Sequence, residues 1–209
     1  MLSAFRAGED IHAATAAAIL GIPLEEVNKD QRRHAKAVNF GLVYGMSAFG
    51  LTRSTDLTLA EAENFVREYF EHFPGVKKYL DGIRRSAAQD GYTETKLGRR
   101  RYFPQLKSGG NQNIRARAER EAINSPIQGT AADMIKLAMQ KVHAAMKKAK
   151  MQSKMLLQVH DELVFDAVRS EVNELKPLII ENMQSAMPLS NGVPVIAECG
   201  EGNNWLEAH

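Results

Sequence analysis

Three ionisable residues interrupt an apolar segment in the later part of the chain, within the run LLQVHDELVF at residues 156–165. Burying a charge without a partner is very costly, so two short apolar strands meeting at His160, Asp161 and Glu162 predict a tight hairpin with an exposed polar tip. Adjacent residues on an extended chain point to opposite sides, so Asp161 and Glu162 cannot easily bind one ion together. Either Asp161 faces a metal whose second ligand comes from elsewhere, or the tip is an ordinary acidic turn. The turn taken alone favours the second interpretation.

Helical signals dominate the rest of the chain. Asp10 can cap a helix that runs as far as residue 20, and Asp30 can cap a second helix that reaches about Tyr44. Thr58 and Glu61 have the spacing of a capping box and predict the start of a third helix. The remaining predicted helices span residues 76–89, residues 111–123, residues 130–150 and a stretch from about residue 170.

Strand signals occur in three places, of which the segment around His160 is one. The run YTETKLGRRRYF at residues 92–103 alternates around Gly98 and predicts another hairpin, and PVIAEC at residues 194–199 predicts a last strand. We therefore predict an α+β fold with a mainly helical region at residues 1–118. The region at residues 119–209 is expected to combine an antiparallel sheet with packed helices.

The second predicted helix carries two cations and two aromatic residues at intervals of four. Arg32, Lys36, Phe40 and Tyr44 share one helical face. Cations near a helix start suit a polyphosphate, which the helix dipole also favours, and the aromatic rings would pack against a base or sugar. The alternative is a basic helix whose aromatic rings enter the core. Gly41 and Gly45 favour the first interpretation slightly, because they would leave bare backbone where a partner could approach.

Basic residues concentrate between residues 96 and 120, where Glu119 is the single acid. They are Lys96, Arg99, Arg100, Arg101, Lys107, Arg115, Arg117 and Arg120. The whole chain has a formal net charge of only +2, so this concentration predicts a surface for a phosphate backbone. A solvated loop and helix is the alternative. A basic hairpin turn followed by a basic helix favours nucleic acid.

Composition excludes several classes of protein. A chain of 209 residues with 44% hydrophobic residues fits a globular protein of one domain or two small ones. The longest apolar run, at residues 13–22, is shorter than the roughly 20 residues needed to span a bilayer, and the N-terminal residues do not have the order of a signal peptide. Cys199 is the only cysteine, which leaves no internal disulfide and suits a reducing compartment. We expect a cytoplasmic protein with no membrane partner.

Three long motifs occur in order and resemble the family A DNA polymerases, of the bacterial DNA polymerase I type. The run QRRHAKAVNFGLVYGMSAFGL at residues 31–51 resembles the helix motif of the family's fingers subdomain. LQVHDELVFD at residues 157–166 resembles its C-terminal palm motif, and REAINSPIQGTAADMIK at residues 120–136 resembles the segment between them. The ending GNNWLEAH at residues 202–209 is similar to the family's C-terminus. The resemblance covers essentially the whole chain.

The resemblance implies a role for particular residues. His12, Arg32 and Lys36 would hold the triphosphate of an incoming dNTP, Phe40 would pack near its sugar, and Tyr44 would lie by the nascent base pair and the template. The primer-template DNA would be contacted by Arg120, Asn124 and Gln128, with His160 near the primer end. Asp161 would bind the catalytic Mg²⁺ ions, with Glu162 beside it. In these terms residues 1–118 are a fingers region and residues 119–209 the C-terminal part of a palm, in a bacterial, nucleoid-associated enzyme.

One element of the family's pattern does not occur in this sequence. The family takes another catalytic carboxylate from an upstream motif of the type Asp-Tyr-Ser-x-x-Glu-Leu-Arg, and nothing like it is present. We therefore expect the thumb, the first palm strands and this motif to come from an N-terminal part that the 209 residues do not include. The sequence leaves three hypotheses: part of a DNA polymerase that is inactive alone, a DNA- or nucleotide-binding module without chemistry, and a truncated remnant.

Overall fold

The computed structural model describes residues 1–107 and 111–208 and confirms the predicted α+β class. Its helices are α1 (Leu2–Ala7), α2 (Ile11–Leu20), α3 (Lys29–Val43), α4 (Ala48–Leu51), α5 (Leu59–His72), α6 (Pro74–Asp90), α7 (Gln112–Lys148), α8 (Val172–Gln184) and α9 (Trp205–Ala208). Its strands are β1 (Tyr92–Glu94), β2 (Arg100–Tyr102), β3 (Lys154–Val159) and β4 (Glu162–Asp166). None of the described helices is long and apolar enough to cross a membrane.

The chain divides into two compact units, residues 1–129 and residues 130–209, and the division falls within α7. The prediction of a boundary near residue 118 is a statement about subdomains of a larger protein and stays a prediction. Residues 108–110, inside the basic segment, and His209, at the end of the C-terminal motif, lie outside the described residues.

Side-chain caps fix where the helices of the first unit begin. Asp10 caps α2 by accepting hydrogen bonds from two backbone N–H groups, as predicted. Thr58 and Glu61 form both bonds of the capping box that opens α5, also as predicted. The prediction that Asp30 caps α3 is wrong. Asn28 is the cap. Its side-chain oxygen accepts a hydrogen bond from the Gln31 N–H, and the Gln31 side-chain oxygen accepts one from the Asn28 N–H, so two orphan donors are satisfied at once.

The core of the first unit is formed by apolar side chains of α3, α4 and α5. Val38, Leu51 and Tyr69 are almost completely buried in it. Burial raises the pKa of Tyr69 to about 12, since the phenolate loses its hydration there. The first hairpin also forms as predicted, with Tyr92 paired to Tyr102 and Gly98 in its turn at a φ of 79°.

Two helices predicted on either side of residues 124–129 are one continuous helix. α7 runs through Pro126, which has no N–H to donate and disfavours the preceding turn. Ala122, Ile123 and Pro126 are all buried, so the helix keeps its apolar side covered across the proline. The free energy gained by burying these three side chains is larger than the cost of losing one backbone hydrogen bond.

The second unit holds the hairpin predicted at residues 156–165. β3 and β4 are antiparallel, with Lys154 opposite Asp166 and Val159 opposite Glu162. Its apolar cluster joins α7 to α8 through Val142 and Leu175. The predicted strand at residues 194–199 is wrong: this segment has no strand pairing in the described part of the chain. A strand exists only where a second backbone accepts and donates the ladder bonds, which the alternation of a single segment cannot supply.

Candidate functional site

The stripe of cations and aromatic rings lies on the exposed side of α3. Arg32 and Lys36 are exposed, and the Phe40 and Tyr44 side chains keep 45% and 39% of their accessible area. Residues on the opposite side of the helix, among them Val38, are buried in the core. The alternative in which both aromatic rings enter the core therefore does not hold.

Three aromatic rings follow one another along this surface. The Phe40 and Tyr44 ring centroids are 6.1 Å apart with an angle of 23° between the ring planes, which is a stacked arrangement. The His12 ring, contributed by α2, lies 5.4 Å from the Phe40 ring at 48°. The surface therefore offers flat apolar area beyond its two cations, which suits a sugar or a base.

The first cation of the stripe is already paired. Arg32 Nε lies 2.6 Å from Oδ2 of Asp10, the residue that caps α2. Burial alone would raise the pKa of Asp10, but the N–H of Ala13, the Arg32 guanidinium and the N–H of His12 together hold it below its ordinary value. The carboxylate is thus ionised at neutral pH. A phosphate group approaching Arg32 would compete with it.

The surroundings of His12 favour its neutral form. Burial lowers the pKa of its imidazole, and the positive charges of Arg32 and Lys36 lower it further, while Asp10 opposes them. The histidine is half-buried between the two helices, so it adds a hydrogen-bonding group to the surface without adding a third positive charge.

Gly41 and Gly45 are needed for packing inside the protein. A Cβ on Gly41 would lie 2.6 Å from Leu51 Cδ2, so this backbone is covered by α4 and the expectation that it is open to a partner is wrong. Gly45 has a φ of 72°, and a Cβ there would lie 3.3 Å from the Arg120 Cα. The C-terminal end of the stripe, at Tyr44, therefore lies next to the backbone of α7 at Arg120.

The three residues expected to contact DNA follow one another at intervals of four on α7. Arg120 and Gln128 are exposed and Asn124 is half-buried. The Asn124 Oδ1 atom is buried and has no hydrogen-bond partner in the described part of the chain. All three belong to the first unit, as do the residues of the stripe.

The positive charge of the basic segment, residues 96–120, is partly neutralised by acidic residues outside it. Acids just outside the counted range pair with its arginines: Arg100 with Glu94 at 2.5 Å, and both Arg101 and Arg117 with Glu121 at 2.6 and 2.9 Å. These pairs are exposed, so a polyanion can compete for the arginines at a modest cost.

The ionisable residues at the second hairpin belong to the second unit. His160 and Asp161 form its two-residue turn, and His160 adopts a positive φ of 53°. Asp161 is exposed at the tip, whereas the half-buried Glu162 begins β4. Across residues 1–107 and 111–208, no three His, Cys, Asp or Glu side chains are grouped so that they could hold a metal ion.

Sequence reasoning missed two buried polar residues behind the stripe. Thr15 and Asn39 keep only 1% and 6% of their accessible area and are hydrogen-bonded to each other. Asn39 Nδ2 also lies 3.1 Å from His12 Nδ1. The available signal was the position of Asn39, a polar residue on the face of α3 that is otherwise apolar.

Comparisons with known proteins agree with one another. The sequence pattern that describes DNA polymerase family A matches residues 1–207. DNA polymerase I of Streptococcus pneumoniae serotype 4 (strain TIGR4) is 48% identical over 209 residues, which are 100% of this chain and 24% of that protein. DNA polymerase I of Mycobacterium leprae (strain TN) is 45% identical over 205 residues, covering 98% of this chain and 22% of the relative.

A solved structure is similar over the full length. It is the POL domain of Pol1 from M. smegmatis in complex with DNA primer-template and dNTP, with a TM-score of 0.93 and 45% identity. The match covers 100% of this chain and 36% of that one. The chain thus spans about a quarter of the length of the curated relatives it matches.

Proposed function

The chain belongs to DNA polymerase family A, and from this premise we propose that it supplies the nucleotide-binding surface and one metal ligand of a polymerase active site. The reaction is the transfer of a nucleotide from a dNTP to the 3′-OH of a primer on a DNA template. It serves DNA replication and repair on the DNA of the bacterial nucleoid, in the cytoplasm. Residues 1–118 are assigned to the fingers and residues 119–209 to the palm.

The order of side chains along α3 carries the proposal. Arg32 lies near the N-terminus of the helix, where backbone N–H groups and the helix dipole add to its positive charge, and Lys36 follows one turn later at the middle of the helix. A triphosphate bound there is contacted by both cations and by His12. The sugar of the dNTP would then reach Phe40, one turn beyond Lys36, and its base would reach Tyr44, two turns beyond Lys36.

The DNA is assigned to the neighbouring surface of the same unit. A template base paired with the dNTP would lie at Tyr44, and the backbone of Gly45 adjoins Arg120. Arg120, Asn124 and Gln128 would contact the primer-template duplex, and the exposed arginines of residues 96–120 would add phosphate contacts. The partners named for the M. smegmatis structure, primer-template DNA and dNTP, are extended here to this chain.

Asp161 is assigned to Mg²⁺, with Glu162 beside it and His160 near the primer end. An exposed carboxylate at a turn is the oxygen ligand that Mg²⁺ prefers. Bound Mg²⁺ would polarise phosphate oxygens and favour ionisation of the primer hydroxyl. A two-metal site would need a further carboxylate beside Asp161. We assign the second carboxylate to an upstream Asp-Tyr-Ser motif, outside the quarter of the relatives' length that the chain spans.

A second candidate function is nucleotide or DNA binding without chemistry. It is favoured by the distribution of the residues: all five proposed dNTP contacts lie in the first unit, whereas Asp161 is a single proposed ligand in the second. Both candidates share the same nucleotide surface, which can therefore be tested in the chain as it stands.

A titration with dNTP and Mg²⁺ tests the shared surface. Lys36→Ala should weaken binding about tenfold or more, because a charge-assisted contact to phosphate contributes roughly 1.5–3 kcal/mol. Arg33→Ala is the matched control: it removes one positive charge from the same helix, but that guanidinium lies 3.2 and 3.3 Å from the carboxylates of Asp30 and Asp56. Equal affinities for Lys36→Ala and the parent chain would remove the nucleotide assignment.

A further inference from the structure

Two buried polar side chains between α2 and α3 determine each other's hydrogen-bonding roles. The Thr15 hydroxyl donates to the Ile11 carbonyl oxygen at 2.7 Å. A hydroxyl has only one proton, so Thr15 Oγ1 must accept any further hydrogen bond. Both Thr15 and Asn39 are almost completely buried, so their hydrogen bonds are made to each other and to neighbouring protein groups.

The orientation of the Asn39 amide follows from that hydroxyl. Asn39 Nδ2 lies 3.0 Å from Thr15 Oγ1, whereas Asn39 Oδ1 lies 3.4 Å from it. An oxygen that can only accept selects the NH₂ group, in agreement with the shorter distance. The second N–H of the same group is then available to His12, whose Nδ1 lies 3.1 Å away.

The His12 tautomer follows from the amide. An amide nitrogen only donates, so His12 Nδ1 must accept and cannot carry a proton. Burial and the charges of Arg32 and Lys36 keep the pKa of His12 below its ordinary value, which favours the neutral imidazole with its single N–H group. That group is Nε2–H.

We propose that Asn39, oriented by Thr15, is a positioning residue that holds His12 as the Nε2–H tautomer. In this tautomer the Nε2–H group donates a hydrogen bond to an oxygen of the bound triphosphate. The last step rests on the proposed function, which assigns His12 to the triphosphate. The chain of bonds from the Ile11 carbonyl to His12 Nδ1 does not. A tautomer with Nδ1–H would present a lone pair at Nε2 and repel the same oxygen.

Spectroscopy of the free chain tests the positioning role. Two-bond ¹H–¹⁵N correlations of ¹⁵N-histidine-labelled protein distinguish the tautomers, and His12→Gln identifies the His12 signals. The parent chain should show Nε2–H. Asn39→Asp puts a carboxylate, which can only accept, against Nδ1, so the proton should move to Nδ1 and the pKa of His12 should rise. An Nδ1–H form in the parent, or an unchanged Nε2–H form in Asn39→Asp, would overturn the proposal.

Thr15 provides a matched pair of variants, one that lacks its hydroxyl and one that lacks its methyl group. Thr15→Val removes the accepting oxygen, so the Asn39 amide can turn and a fraction of Nδ1–H should appear. Thr15→Ser retains the hydroxyl and should retain the parent spectrum. A Thr15→Val chain that stays entirely Nε2–H would show that Thr15 does not orient the amide, and would overturn the proposal.

Binding of dNTP with Mg²⁺ separates this proposal from the proposed function. Thr15→Val should weaken binding about two- to tenfold, because the apparent affinity falls with the fraction of His12 that still carries Nε2–H, and Thr15→Ser should restore it. If the tautomers change as expected but His12→Gln binds dNTP as tightly as the parent chain, the assignment of His12 to the triphosphate fails while the positioning role of Asn39 stands. If the tautomers do not change, the positioning role fails whatever the affinities.

Discussion

Asp10 holds Arg32 in an ion pair of 2.6 Å while its carboxylate also caps α2, so one acidic side chain both starts a helix and pairs with a cation of the proposed nucleotide surface. Both side chains are about two-fifths exposed, at 41% for Asp10 and 45% for Arg32, and such a pair contributes only about 0.2–1 kcal/mol. A triphosphate bound at Arg32 would have to displace or share this carboxylate. The pair would therefore set part of the free-energy cost of binding.

Asp10→Ser should tighten dNTP binding. Serine still caps a helix, so α2 should keep its start, while Arg32 loses its competing partner. The affinity for dNTP with Mg²⁺ should rise by up to about fivefold, the equivalent of the ion pair's free energy. Isothermal titration measures it. Glu9→Ser removes a carboxylate one residue earlier and is the control. Weaker binding by Asp10→Ser, with α2 intact by circular dichroism, would contradict a triphosphate at Arg32.

Gly45→Ala should destabilise the first unit more than Gly21→Ala does. Both glycines have a positive φ, of 72° and 64°, and an L-residue there costs about 1–2 kcal/mol. A Cβ on Gly45 would also press on the Arg120 backbone at 3.3 Å, whereas a Cβ on Gly21 would meet nothing within 4 Å. Urea unfolding of both variants isolates the packing cost, which we expect to be about 1–3 kcal/mol. Equal losses would place the two segments further apart.

Glu171→Gln should weaken the second unit at neutral pH and have less effect in acid. The Glu171 carboxylate accepts bonds from the Gln152 N–H, the Ser153 N–H and the Ser153 hydroxyl at 2.6–2.9 Å, and these bonds hold its pKa below the ordinary 4.5. A lowered folded-state pKa gives stability that is present above the unfolded pKa and is lost as pH falls through the folded one.

The measurement is urea unfolding from about pH 7 down to about pH 3. The difference in free energy of unfolding between the parent and Glu171→Gln should begin to shrink below about pH 4.5, where Glu171 is protonated in the unfolded state. It should be smallest once the Glu171 carboxylate of the folded state is protonated too. Glu174→Gln, the same charge change in the first turn of α8, is the control. A difference that stays constant over this range would mean that Glu171 is not ionised in these hydrogen bonds.

Sequence reasoning succeeded where structure depends on neighbours along the chain. The cap at Asp10, the capping box of Thr58 and Glu61 and the turn at His160 involve residues within three positions of each other. It predicted Asp30 as the cap of α3, two residues after the actual cap, Asn28. Both residue types cap helices, and the reciprocal bonds between Asn28 and Gln31 are what place the start of the helix.

Structure that depends on distant segments was not predictable in this way. The apolar side of α7 stays covered through Pro126, and residues 194–199 alternate like a strand without being paired in the described structure. The sequence predicts open backbone at Gly41, whereas Leu51, ten residues later, fills the space. The contacts of His12 with Asn39 join two helices, so the pattern of α3 alone indicates a polar residue on the buried face at Asn39 but does not indicate its partner.

Primer extension tests most directly whether Asp161 is one half of a polymerase site. The chain is joined to an upstream polymerase segment that carries an Asp-Tyr-Ser motif and a thumb, and extension is measured with Mg²⁺ and all four dNTPs. We predict no useful extension by the 209 residues alone, extension by the completed protein, and its loss in Asp161→Asn with DNA affinity largely retained. Asp166→Asn, at the far end of β4, is the matched control and should stay active. Robust extension by the 209-residue chain alone, retained in Asp161→Asn, would contradict the assignment.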